Sequence, residues 1–201
     1  MNGKLCCDKQ AMEIAIIGAS SFIGGSLTAQ LVREGHNVIP VYRREPEGGG
    51  AWWADIQGKI QGDIRDDNVL KDTVACTPDV CVYLVSLNHV DSAGPISQVI
   101  SVNLLPMWRL LEEFSEKDWR GQFIYMSTQQ VYGLMGEDTI DELHPASPRN
   151  HYALTHYMVK TCVDITTEIT VSILFLYDYR TAMAYLHLSP SIAGGQSSTT
   201  W

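Results

Sequence analysis

Paired cysteines are the first thing this sequence lacks. Its five cysteines (Cys6, Cys7, Cys76, Cys81 and Cys162) are odd in number and contain no Cys-x-x-Cys spacing. That excludes a disulfide framework and any zinc site of familiar spacing, so no metal is expected. Vicinal Cys6 and Cys7 read as a redox pair or, with more weight, as part of an N-terminal extension over residues 1–11. Long hydrophobic runs are also missing. The strongest late run, Val171 to Tyr177, is far too short to span a bilayer. Glu13 interrupts the early apolar stretch from Ala11 to Ala19, so no signal peptide is evident. Positive charge is scarce as well: 14 Lys and Arg stand against 23 Asp and Glu, a formal net charge of −9. Nucleic-acid binding depends on clustered cations and is disfavoured. The expectation is a reduced, cytoplasmic, soluble protein with no membrane or nucleic-acid partner.

What is present suits one globular domain. The chain has 201 residues, 45% of them hydrophobic, enough to bury a core without staples. Short apolar runs alternate with amphipathic stretches. Glu13–Ile17 reads as a buried strand, and Phe22–Glu34 as a helix with Phe22, Ile23, Leu27 and Leu31 on one side. Val38–Tyr42 is a second strand whose internal Pro40 favours an irregular or less central place. Glu45–Gly50 reads as a loop, Lys59–Gly62 as a short strand, Asp66–Ala75 as a helix and Pro78–Val85 as a buried strand. Ile96–Lys117 is helical, kinked or split by Pro106. Gln122–Met126 is a strand, His151–Glu168 a helix and Thr170–Tyr177 a final strand. This alternation predicts an α/β doubly wound parallel sheet over residues 12–187. Residues 188–201 lose all periodicity and read as a flexible tail.

The first strand runs into Gly18-Ala-Ser-Ser-Phe-Ile-Gly24-Gly25 and then a helix. Gly18 permits a tight turn, Gly24 allows close helix packing, and the backbone N–H groups of Ser20, Ser21, Phe22 and Ile23 would face a pyrophosphate. A simple tight turn is the competing reading. About 20 residues past the glycines, an NAD site carries an acid for the ribose hydroxyls. Here the second strand ends Tyr42-Arg43-Arg44. Two guanidinium groups suit a 2′-phosphate, so NADP is favoured and NAD remains the alternative. In that alternative both arginines are solvated and Glu45 binds the ribose.

Six segments in order resemble the extended short-chain dehydrogenase/reductase family, the NAD(P)-dependent sugar epimerases and dehydratases. They are Ile17–Gly24, Gly62-Asp-Ile-Arg-Asp66, Leu84–Val90, Val102-Asn103-Leu104, Tyr125–Gly133 and Tyr152-Ala-Leu-Thr-His156. The resemblance covers about residues 12 to 180 and implies a Rossmann-like fold with the C-terminal substrate lobe largely absent. By resemblance, Asp63 and Ile64 hold the adenine, Leu84, Val85 and Ser86 line the cofactor, and Asn103 supports the site from the long helix. Thr128 corresponds to the Ser/Thr that hydrogen-bonds the reacting sugar oxygen, and Tyr152 to the catalytic tyrosine. A nucleotide-sugar substrate and a homodimer through Ile96–Lys117 and His151–Glu168 are further implications.

The family's chemistry needs a proton to leave or join the oxygen on the carbon that exchanges hydride. A free tyrosine, with a pKa of about 10, is a poor base at neutral pH. The family answers with a lysine four residues on. Here that position is His156, which at an ordinary pKa near 6.5 is only about a quarter protonated at pH 7. Lys160 stands two turns from Tyr152. Ser21 replaces the family's middle glycine, and Phe175 stands where an arginine is usual. Two functional expectations follow. One is an NADP-dependent epimerase/dehydratase-type oxidoreductase using Thr128, Tyr152 and His156. The other is a catalytically degenerate dinucleotide-binding sensor or scaffold. A truncated product without its own function is the third reading.

Overall fold

The computed structural model describes residues 10–46, 53–133, 144–165 and 170–175. The expectations for Cys6 and Cys7, most of the Glu45–Gly50 loop, the end of the His151–Glu168 helix and the tail lie outside them. Six strands form one sheet: β1 (Glu13–Ile17), β2 (Asn37–Tyr42), β3 (Ile60–Gln61), β4 (Val80–Tyr83), β5 (Gln122–Ser127) and β6 (Thr170–Phe175). Their spatial order is β3-β2-β1-β4-β5-β6, and every pairing is parallel. Parallel strands need crossovers, which are supplied by α1 (Phe22–Arg33), α2 (Asp67–Ala75), α3 (Ile96–Asn103), α4 (Leu105–Glu116) and α5 (His151–Ile165).

Alternation along β1 feeds two cores. Ile14 and Ile16 join Leu27 and Leu31 of α1 on one face, with Val80, Val82 and Ile124. Ala15 and Ile17 join Val69 and Leu70 of α2, Leu110 and Phe114 of α4 and Val159 of α5 on the other. Burial on both faces explains why β1, β4 and β5 read as continuous apolar runs.

Two local expectations gain detail and one changes. Pro40 sits in a regular strand, paired with Ile16, and β2 is second from the edge. β3 pairs only with Val41 and Tyr42, so Pro40 has a strand neighbour on one side alone. The long helix is split: Leu104 leaves helical geometry at φ −116°, and Pro106 falls in the first turn of α4, where a missing N–H costs nothing. Phe22 does not join the apolar side of α1; it is 87% exposed, at the mouth of the glycine turn.

Candidate functional site

The strand order reverses direction between β1 and β4, and ligands of such sheets bind outside the carboxyl ends of the strands at that crevice. A groove of about 1190 Å³ lies there. Gly18, Ser20, Ser21 and Phe22 line it on the α1 side, and Leu84, Val85 and Ser86 after β4. Gly18 has φ +91°, a conformation that disfavours any side chain. Gly24 lies behind the turn, where a Cβ would stand 2.3 Å from the Gly18 carbonyl oxygen. Ile23 and Gly24 therefore shape the turn without lining the groove. Ser21, in the middle-glycine position, has φ −70° and ψ 166°, which any residue adopts. It also caps α1: the Gly24 N–H donates to Ser21 Oγ at 3.1 Å. The positive end of α1 thus opens into the groove, an arrangement that fits a pyrophosphate.

The far end of the groove is rich in arginine. Arg43 and Arg44 line it, as the sequence expects, and so do Arg33 from the last turn of α1 and Arg65 from the loop after β3. Sequence reasoning missed these last two, because Arg33 lies ten residues from Arg43 and Arg65 further still. Asp63 is tied by a two-pronged bond to Arg65, Nε to Oδ1 at 2.9 Å and the terminal nitrogen to Oδ2 at 2.7 Å. Arg43 stands 3.7 Å from the same carboxylate. The Arg65 hydrogen bonds, against a smaller effect of burial and aided by the charges of Arg65 and Arg43, bring the Asp63 carboxyl down to about 2. Asp63 does not cap α2, whose N-cap is Asp66. Ile64 is buried and lines the groove.

Glu45, the alternative ribose ligand, is engaged elsewhere. Its Oε1 accepts from Tyr42 Oη at 2.9 Å, and its Oε2 accepts a short hydrogen bond from Trp53 Nε1.

At the sheet's C-terminal edge, three side chains converge. Tyr152, in the first turn of α5, has its phenol in hydrogen-bonding contact with the side chains of Thr128 and Ser86. Burial raises the Tyr152 phenol above its usual range, and the two hydrogen bonds offset this only in part. Thr128 follows β5 and also accepts from the Gln130 N–H at 3.3 Å. Ser86 lines the groove, so this cluster and the nucleotide crevice are continuous.

His156 and Asn103 stand behind that cluster. His156 is only 3% exposed. Its Nδ1 shares a hydrogen bond of 2.8 Å with Tyr125 Oη, and among the described residues its Nε2 has no partner. Its ring packs edge-on against Tyr152, with centroids 4.5 Å apart. Burial lowers its pKa to about 4. The expected quarter-protonated histidine is therefore corrected: His156 is neutral at pH 7. Asn103 is fully buried, accepting from the Leu87 N–H at 2.7 Å and donating to Thr155 Oγ1 at 3.0 Å. It does not line the groove; it ties the segment after β4, which carries Ser86 and Leu87, to α5.

A doubly wound parallel sheet with a glycine turn and helix N-terminus at its switch point defines a Rossmann-like nucleotide-binding fold. Residues 14–176 match the model of the NAD dependent epimerase/dehydratase family. The chain belongs to that family. A dTDP-glucose 4,6-dehydratase of Streptomyces niveus is 30% identical over 154 residues, 71% of this chain and 45% of the relative. The low-salt glycan biosynthesis protein Agl12 of Haloferax volcanii is 28% identical over 151 residues, 72% of this chain and 48% of the relative. The chain spans about half the length of the curated relatives it matches. Among solved structures, the Bordetella bronchiseptica enzyme WbmH in complex with NAD+ superposes with a TM-score of 0.70 at 15% identity. That match covers 83% of this chain and 56% of WbmH, and it establishes the fold.

Proposed function

We propose that the chain binds NADP in the arginine-ended groove and acts as an epimerase/dehydratase-type oxidoreductase on a nucleotide sugar. The observation that carries the cofactor choice is the end of β2. Arg43 and Arg44 face the groove there, while both oxygens of the nearby Glu45 are turned onto Tyr42 and Trp53. A 2′-phosphate would meet guanidinium groups, and a free ribose 2′-hydroxyl would find no unengaged acid in its usual place. Gly18 and the N-terminus of α1 would hold the pyrophosphate, and Leu84, Val85 and Ser86 the middle of the dinucleotide. The names of relatives such as the dTDP-glucose 4,6-dehydratase support a nucleotide sugar as substrate.

When bound, the nicotinamide supplies or accepts hydride. The chain's own residues manage the proton. Thr128 and Ser86 orient the Tyr152 phenol and offer hydrogen bonds to an oxygen beside it. Burial keeps Tyr152 protonated, and neutral His156 supplies no charge to draw that proton off. Tyr152 is thus suited to give a proton to an oxyanion, the direction of a carbonyl reduction, more than to take one. The apolar area left by Leu105 on α4 and Leu154 on α5, 49% and 36% exposed, supports pairing with a second copy through those helices.

His156 also favours a second reading, a member that binds dinucleotide as a sensor or scaffold without turnover. The two separate in one experiment. The chain is loaded with NADPH and offered dTDP-, GDP- and UDP-linked keto sugars, with nicotinamide fluorescence followed over time. Turnover that vanishes in Tyr152→Phe is expected of the enzyme. Tight NADPH binding with no sugar binding and no turnover would replace it with the sensor reading.

A further inference from the structure

We infer that Tyr42 and Trp53 form a latch that turns Glu45 away from the cofactor, making them positioning residues for nucleotide specificity. This rests on the proposed preference for NADP. Glu45 is two residues past Arg43 and lines the same end of the groove. An acid in this region accepts hydrogen bonds from a ribose and opposes a phosphate on it. The residue is exposed to solvent, so burial does not keep its charge off the ligand. Orientation does.

One donor is assigned to each carboxylate oxygen. Tyr42 Oη reaches Oε1 and Trp53 Nε1 reaches Oε2. Both rings are anchored. Tyr42 and Trp53 are each 5% exposed and stack edge-on with centroids 5.0 Å apart. Trp53 is fixed in turn by Lys59, whose Nζ donates to the Trp53 carbonyl at 2.8 Å and the Ala54 carbonyl at 3.3 Å and stands 5.8 Å from the indole ring centroid. A charge-assisted pair of hydrogen bonds from rigid aromatic donors holds a flexible glutamate far better than water would. The consequence is electrostatic: the groove's arginines act on a phosphate while both Glu45 oxygens are held on Tyr42 and Trp53.

The latch can be opened while an aromatic side chain stays at each position. Tyr42→Phe deletes the hydroxyl, and Trp53→Phe deletes the indole N–H while keeping an aromatic side chain. Dissociation constants for NADPH and NADH are measured by nicotinamide fluorescence in the wild-type chain, the Tyr42→Phe/Trp53→Phe double variant, and the double variant carrying Glu45→Gln. We expect the double variant to bind NADPH about tenfold more weakly, the scale of one like-charge contact, with NADH unchanged or tighter. Adding Glu45→Gln should restore the NADPH:NADH ratio, a rescue that simple damage to packing would not allow. Should the double variant fail to fold by circular dichroism, Tyr42→Phe alone and with Glu45→Gln makes the same comparison. A wild-type preference for NADPH that survives release of Glu45 overturns the latch and leaves the NADP reading standing. A wild-type chain with no preference overturns the NADP reading itself.

Discussion

At the scale of single residues, His156 departs most from what its position suggests. A histidine one turn after Tyr152 invites a role as a part-time cation, but burial against Tyr125 holds it neutral. The sign of the linkage follows. Unfolded, the imidazole titrates near 6.5; folded, near 4. The unfolded chain therefore binds the extra proton between those values, so His156 costs no stability above pH 6.5 and lowers it as pH falls toward 4. We expect stability to urea to drop by roughly 1–2 kcal/mol from this group between pH 6.5 and 5, the slope approaching ~1.4 kcal/mol per unit only once the unfolded imidazole is fully protonated. In His156→Gln that part of the slope should vanish. Equal slopes in the two proteins would mean that His156 takes up its proton in the fold as readily as in the unfolded chain. Any turnover should likewise show no inflection near pH 6.5 that His156→Gln removes.

At the scale of elements, the glycine turn and the strap beneath it do different jobs. Gly24→Ala would drive a methyl group into the Gly18 carbonyl, 2.3 Å away. That substitution is expected to lower the melting temperature and to weaken dinucleotide binding together, because the turn must move. Asn103→Ala should behave otherwise. It leaves the half-buried Leu87 N–H without its acceptor, a loss of about 1–2 kcal/mol in stability. Since Asn103 does not line the groove, the dinucleotide dissociation constant should change much less than the stability. A large loss of affinity with unchanged stability would put Asn103 in contact with the ligand. The elements themselves were legible to different degrees. Apolar runs such as Val80–Tyr83 announce buried parallel strands, and Pro106 announces the break before α4. The orientation of Phe22 was not legible, because apolar spacing cannot tell the core from the mouth of a groove.

At the scale of the whole molecule, alternating strands and helices were enough to anticipate the doubly wound sheet, and the ordered segments from Ile17 to His156 were enough to anticipate the family. What stayed hidden depends on distances across the fold. Arg33 and Arg65 come to the groove from α1 and from the loop after β3, and nothing in their local spacing marks them. The engagement of Glu45 needs Trp53, eight residues on, to fold back over Tyr42. The neutrality of His156 needs its burial in the fold, where it lies beside Tyr125 of β5. Sequence spacing thus reveals which residue types are present, while the fold decides which charges are free to act.

The arginine-ended groove is the centre of this account, and titration of the purified chain with NADPH and NADH, followed by nicotinamide fluorescence, tests it most directly. NADPH is expected to bind at least several-fold more tightly, and Arg43→Ser/Arg44→Ser to bring the two affinities together. Equal affinities in the unaltered chain, or binding of neither nucleotide, would contradict it.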